Sequence, residues 1–248
     1  MFNQAHIIFM IVSLVLIVGF LILSKCFIKS QNKKDLILKL SAIATLILHY
    51  SPLYVNFFTE GKAEIFATMI LPLYPCNVAM WLLVIVAFIR NKNSKIFTVL
   101  ATILFYLGII GGVFGIVLNE IYSNNPTLAD WHVLHGLLSH DTLLFGSIWV
   151  AVGGYMKIRV RNLSSIIIGL LSLVVLGWSM IGLYRAFNLD PVNCMFLLEP
   201  PIASLPFLNT YLIGLGALLI LFLLTALYEQ LALKKEDRWY SKIKNKRS

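Results

Sequence analysis

HIIFMIVSLVLIVGFLILS, residues 6–24, runs for 19 positions without a charged side chain. A helix rising about 1.5 Å per residue needs about 20 apolar residues to cross the hydrocarbon of a bilayer, so this stretch reads as a membrane span. Working outward, six more apolar runs follow, separated by short polar punctuation. The seven are expected near 6–28, 35–57, 63–89, 95–121, 130–156, 162–187 and 205–231. The first is not a cleaved signal sequence, because no basic residue precedes it and no small-residue cleavage site follows it. The expected fold is therefore an all-α membrane protein of seven transmembrane helices. Residues 1–231 form a single membrane domain and 232–248 a basic cytoplasmic tail.

Composition agrees with this. Of 248 residues, 59% are hydrophobic and only 12% charged, with mean hydropathy +0.86, whereas globular domains carry about 25% charged residues. Three cysteines without a CxxC pair exclude a disulfide framework and a thiolate zinc site of ordinary spacing. The net charge of +9 does not form a nucleic-acid face. Lys25, Lys29, Lys33, Lys34 and Lys39 follow the first run; Arg90, Lys92 and Lys95 the third; Lys157, Arg159 and Arg161 the fifth. Seven more basic residues lie in the tail, and only Lys62 and Arg185 fall on the other side. Basic loops stay cytoplasmic, which predicts an amino terminus outside and a carboxyl terminus inside. The basic loops and tail are expected to meet anionic lipid headgroups. No nucleic-acid partner is expected, and the sequence names no protein partner.

Polar residues within spans are costly and face the bundle interior, which makes them the place to look for chemistry. Span two carries His49, span three LPLYPC at 71–76 followed by Asn77, and span four ends in Asn119 and Glu120. The densest set is DWHVLHGLLSHD at 130–141. At 100° per residue, His132, His135, Ser139 and His140 fall within about 140° while Asp141 points away.

Cys76 stands out by its setting. Pro72 and Pro75 each remove a backbone donor, so span three is expected to break just before the cysteine. Such breaks are tolerated where protein or a water-filled cavity surrounds them. Counted at about 1.5 Å per residue, Cys76 lies about 20 Å from the outer end, His140 about 15 Å, His49 about 12 Å and His135 about 8 Å. His140 is thus the best-matched base for a Cys76 nucleophile that would attack an acyl carbonyl and form a thioester. Asn77 and freed backbone N–H groups are the expected oxyanion donors. His49, His135 and Tyr74 are expected in support; no cofactor or metal is called for.

Four elements, taken together, resemble the bacterial YwaF-type integral membrane family. LPLYPC at 71–76 resembles its LPLHLC signature, with Tyr74 and Pro75 at the histidine and second-leucine positions. YLGIIGGVFG at 106–115 resembles its glycine-rich fourth span. LLSHD at 137–141, with Trp149 nine residues after the histidine, resembles its SHG element, Asp141 standing at the glycine. NCMFLLEPPIASLPFL at 193–208 resembles its run before the last helix, which brings in Asn193. That family is related to a eukaryotic transmembrane lipid acyltransferase that uses a cysteine and a histidine. The resemblance implies Cys76 as nucleophile, His140 as base, membrane lipids as substrates and a bacterial plasma membrane as the location. Two other readings stay open from the residues alone. One is a non-catalytic transporter or binding protein whose outward cavity is lined by His49, His135 and His140. The other is a thiol couple of Cys76 with Cys194.

Overall fold

The computed structural model describes residues 3–59, 71–118, 128, 131–189, 192–201, 205–207 and 209–244. Asn119, Glu120, Asp130 and the side chain of His132 lie outside the described residues, as does the first part of the expected third span. Every regular element described is helical: α1 (Gln4–Phe27), α2 (Gln31–Thr59), α3 (Pro75–Phe88), α4 (Lys95–Val117), α5 (Trp131–Val152), α6 (Leu163–Ala186), α7 (Thr210–Ala232) and α8 (Trp239–Lys244).

Local chemistry sets the starts and stops. The side chains of Asn3, Ser94 and Asn209 accept hydrogen bonds from the backbone N–H of His6, Phe97 and Leu212, satisfying orphan donors at the starts of α1, α4 and α7. Pro75 sits in the first turn of α3, where its missing N–H costs nothing. α5 is stopped at Gly154, whose φ of +89° only glycine adopts freely.

Five stretches are long and apolar enough to cross a membrane: Gln4–Phe27, Gln31–Tyr54, Lys95–Val117, Val160–Ala186 and Thr210–Ala232. These five are counted among the described residues, and the other two of the seven expected spans, the third and the fifth, correspond to shorter or more polar helices. The third expected span is represented by the 14-residue α3. The fifth expected span is the 22-residue α5, long enough but diluted by His132, His135, Ser139, His140 and Asp141. The chain is a multi-pass integral membrane protein all the same, because its exposed surface is largely leucine, isoleucine, valine and phenylalanine on long helices.

The described chain divides into two compact units, Met1–Tyr155 and Met156–Ser248. In the first, α5 packs against α1, α2, α3 and α4. Its seam with α2 is polar: Thr45 Oγ1 bonds to Thr142 Oγ1 (2.9 Å) and Trp131 Nε1 donates to Ser51 Oγ (2.9 Å). At the lysine-bearing end, Tyr155 donates to Asp35 and Trp149 Nε1 donates to the Lys34 carbonyl (3.2 Å). Lys92 donates to the carbonyls of Val86 (2.6 Å) and Ala87 (2.8 Å), capping α3, with its ammonium 5.1 Å from the Phe97 ring centre. Burial lowers that ammonium below the ordinary lysine range, against the pull of Asp35. Burial, and the Asp35 carboxylate to which it donates, hold the Tyr155 hydroxyl above the phenol range.

In the second unit, the buried Glu229 of α7 accepts from the backbone N–H of Val160 (2.8 Å) and of Trp239 (2.8 Å), tying the entrance of α6 and the start of α8 to one carboxylate. Trp178 of α6 donates to the Tyr211 hydroxyl of α7 (3.2 Å). Between these helices the chain makes a tight turn at Cys194–Phe196.

Candidate functional site in the glycine groove of α4

Four glycines of α4 let its neighbours approach its backbone. A β-carbon added at Gly108 would overlap Ser147 of α5, and one at Gly112 would come within 2.8 Å of the Leu144 β-carbon and 3.3 Å of the His140 carbonyl. One at Gly111 would lie 3.4 Å from the Cys76 Cα, and one at Gly115 would overlap the imidazole of His140. Small residues four apart allow such close helix crossings in membranes. Here the spacing has a local consequence: Cys76 and His140 are seated against positions one helical turn apart on the same side of α4, about 6 Å along its axis.

The Cys76 side of the groove is the broken end of α3. Tyr74 is extended and precedes Pro75, and its side chain makes no capping bond. Among the backbone N–H groups of Cys76, Asn77 and Val78, the last bonds to the Tyr74 carbonyl (3.3 Å), while the first two, which have no partner within the helix, point at the Cys76 sulfur. The half-buried Cys76 thiol donates to Asn77 Oδ1 (3.5 Å), and Asn77 Nδ2 donates to the Leu71 carbonyl (3.3 Å). Asn77 is itself buried. Its amide therefore links the segment before α3 to the thiol, with one N–H of Nδ2 on the Leu71 carbonyl.

On the other side, His140 Nδ1 lies 2.6 Å from the Gly136 carbonyl. A carbonyl only accepts, so in the neutral ring Nδ1 carries the hydrogen and Nε2 bears the lone pair. The Nε2 edge is the one seated on Gly115. The tautomer is the one a base needs, with its accepting nitrogen inside the groove.

α5 points its polar residues in three directions. His135 is buried on the side that carries Trp131 and Thr142, toward α2, with its ring 6.4 Å from Trp131. His49 lies one turn beyond Thr45 on α2, its ring 4.9 Å from Tyr50. His140 faces α4, and Asp141 faces α1, accepting from Ser13 Oγ (2.8 Å). The arc of about 140° that holds these residues is thus divided: His135 lies on the Trp131 side, the Ser139 hydroxyl bonds back to the Gly136 carbonyl (2.8 Å), and His140 enters the glycine groove.

The TMEM164 family model matches residues 1–228. The chain belongs to the TMEM164 family. No curated protein and no solved structure matches it. The match to the family spans the whole first unit, including Cys76, Asn77 and His140, and runs on through Asn193 to α7.

Asn193 organises its own loop: Oδ1 accepts from the N–H groups of Leu198 (3.0 Å) and Glu199 (3.1 Å), and Nδ2 donates to the Glu199 carbonyl (3.0 Å). The next residues are strained, with φ of +54° at Met195 and +56° at Phe196. Thr210 Oγ1 lies within 2.9 Å of both carbonyls. Cys194 is buried there.

Two residues escaped the sequence reading. His6 is fully buried at the start of α1, its Nε2 donating to the Ile116 carbonyl (2.7 Å), and Ser13 holds Asp141. The signal was a polar pair seven residues apart in an otherwise apolar run, which is two turns on one face.

Proposed function

We propose that this TMEM164-family protein is a membrane acyltransferase that moves acyl chains between lipids, with Cys76 as nucleophile and His140 as base. The observation that carries it is the placement of Cys76 and His140 against Gly111 and Gly115 of one helix, with His140 Nε2 available as acceptor. Nε2 takes the thiol proton, and sulfur attacks the ester carbonyl of a donor lipid. The tetrahedral oxyanion, formed beside the sulfur, takes over the N–H groups of Cys76 and Asn77 at the start of α3, where a helix N-terminus favours negative charge. Collapse expels the donor's alcohol, which takes the proton from His140. An acceptor hydroxyl then gives its proton to His140 and attacks the thioester, so the acyl group leaves and the thiol is restored. Asn77 holds the resting thiol and Tyr74 ends the extended segment that leads to it. Reading His49, His135 and His140 as one ligand cavity has less support, since α5 turns His135 and His140 toward different neighbours.

The same reading puts seven spans in a plasma membrane, amino terminus outside, with the basic loops and tail on anionic headgroups. A reporter that folds only in the cytoplasm, fused after Ser248, is expected to be fluorescent; a dark, well-expressed fusion contradicts the orientation. For the activity, lipid profiles of a deletion strain complemented with wild type or Cys76→Ala are compared. Acyl-chain distribution is expected to revert only with wild type. Equal restoration by Cys76→Ala would end the enzyme reading.

A further inference from the structure

We infer that His6 and Ser13 are positioning residues that make α1 a brace for the Cys76–His140 groove. The inference rests on the catalytic reading above. α1 is otherwise loosely committed: Ile11, Leu14, Val15, Phe20 and Ile22 are exposed on its outer faces, and its buried set is His6, Ser13, Ile17 and Leu21. Two side-chain hydrogen bonds from it to other helices land immediately after Gly115 and His140. His6 Nε2 donates to the carbonyl of Ile116, the neighbour of Gly115, and Ser13 Oγ donates to Asp141, the neighbour of His140.

The physical roles differ. Ile116 lies in the last turn of α4, where carbonyls have no partner within the helix. A buried one left unsatisfied is costly, so a donor there fixes the end of α4. Asn3 anchors the donor in turn, by accepting from the His6 backbone N–H (2.9 Å). Ser13 acts on rotation: Asp141 sits 100° around α5 from His140, so holding its carboxyl sets the angle at which the imidazole meets Gly115. Ala5 and Phe9 add apolar contact with Val133 and Leu137, but that contact lacks direction. The two hydrogen bonds supply it, which matters because errors of about 1 Å at a reacting pair cost up to about 10²-fold in rate.

The test uses the full chain with Cys26→Ala and Cys194→Ala, leaving Cys76 as the single thiol, and N-ethylmaleimide as probe. The readout is the alkylation rate at pH 7.5 divided by the rate at pH 10, a ratio that reports proton removal and cancels general accessibility. His140→Ala is expected to lower this ratio by about tenfold or more, since a free thiol is only a few per cent thiolate near neutrality. His6→Phe, which keeps a ring but no N–H, is expected to lower it several-fold. His6→Gln, whose amide can still reach the carbonyl, is expected to stay within twofold of the parent, and Ser13→Ala is expected to fall while Ser13→Thr holds. A packing role alone would not separate Phe from Gln in a ratio of rates. Equal ratios for His6→Phe and His6→Gln, with His140→Ala low, overturn the brace and leave the Cys–His pair standing. An unchanged ratio in His140→Ala overturns the pair and the brace with it.

Discussion

α5 and α7 are close in length and opposite in kind. α5 is polar enough to miss the composition of a membrane span, yet it touches four other helices and exposes no large apolar side chain. α7 is apolar along its length, buries only Thr225 and Glu229, and exposes a sheath that includes Leu215, Leu219, Phe222 and Leu231. The helix that looks least suited to a membrane is therefore the centre of its unit. Between lipid-facing helices the apolar surface gains little by association, because lipid tails are as apolar as leucine. Close backbone approach and hydrogen bonds select the interior helix instead.

Glycine substitutions break this comparison most sharply. Gly115→Ala must displace the His140 ring, and acyl transfer is expected to fall by about 10²-fold, with about 1–3 kcal/mol lost in stability as for other overpacked sites. Activity near wild type would mean that His140 is not held by this groove.

Next in size is Glu229→Ala in α7. It strands two backbone N–H groups, each worth about 1–3 kcal/mol when buried and unsatisfied. The tail beginning at α8 is expected to become rapidly cleavable by added protease, while Glu229→Gln, which keeps one acceptor, falls between. An unaltered digestion pattern would show that the carboxylate does not anchor the tail.

Along the α2–α5 seam, a double-mutant cycle of Thr45→Val and Thr142→Val is expected to give a coupling of about 0.6 kcal/mol, the usual size for a hydrogen bond between membrane helices. A value near zero would assign the seam to packing alone.

Comparable in size is Gly216→Ala in α7. Nothing lies within 4 Å of the added β-carbon, so the change is expected to stabilise by about 0.5–1 kcal/mol through helix propensity. The opposite signs at Gly115 and Gly216 measure the difference between the two helices in one type of substitution.

The sequence displayed the lipid-facing helices readily, because uninterrupted runs such as residues 6–24 have no other use. The helix start at Pro75, just before Cys76, was also legible, since two prolines oppose a helix running through 72–75. The direction each α5 residue takes was not. A helical wheel gives the angle between His135 and His140 but not which neighbour lies at either angle; that is set by α2 meeting Thr142 and α4 meeting His140 through glycine. Nor could YLGIIGGVFG reveal which glycine meets which partner, because glycine marks close approach without naming what approaches. The buried His6 looked like a residue at the edge of a span.

The most direct measurement is an intact-mass search for a covalent acyl group on purified protein supplied with acyl lipid. The account predicts a hydroxylamine-sensitive acyl adduct on Cys76, absent in Cys76→Ala, formed about 10²- to 10⁴-fold more slowly in His140→Ala, and unaffected by Cys26→Ala. An adduct that persists in Cys76→Ala, or none in active wild-type protein, would contradict it.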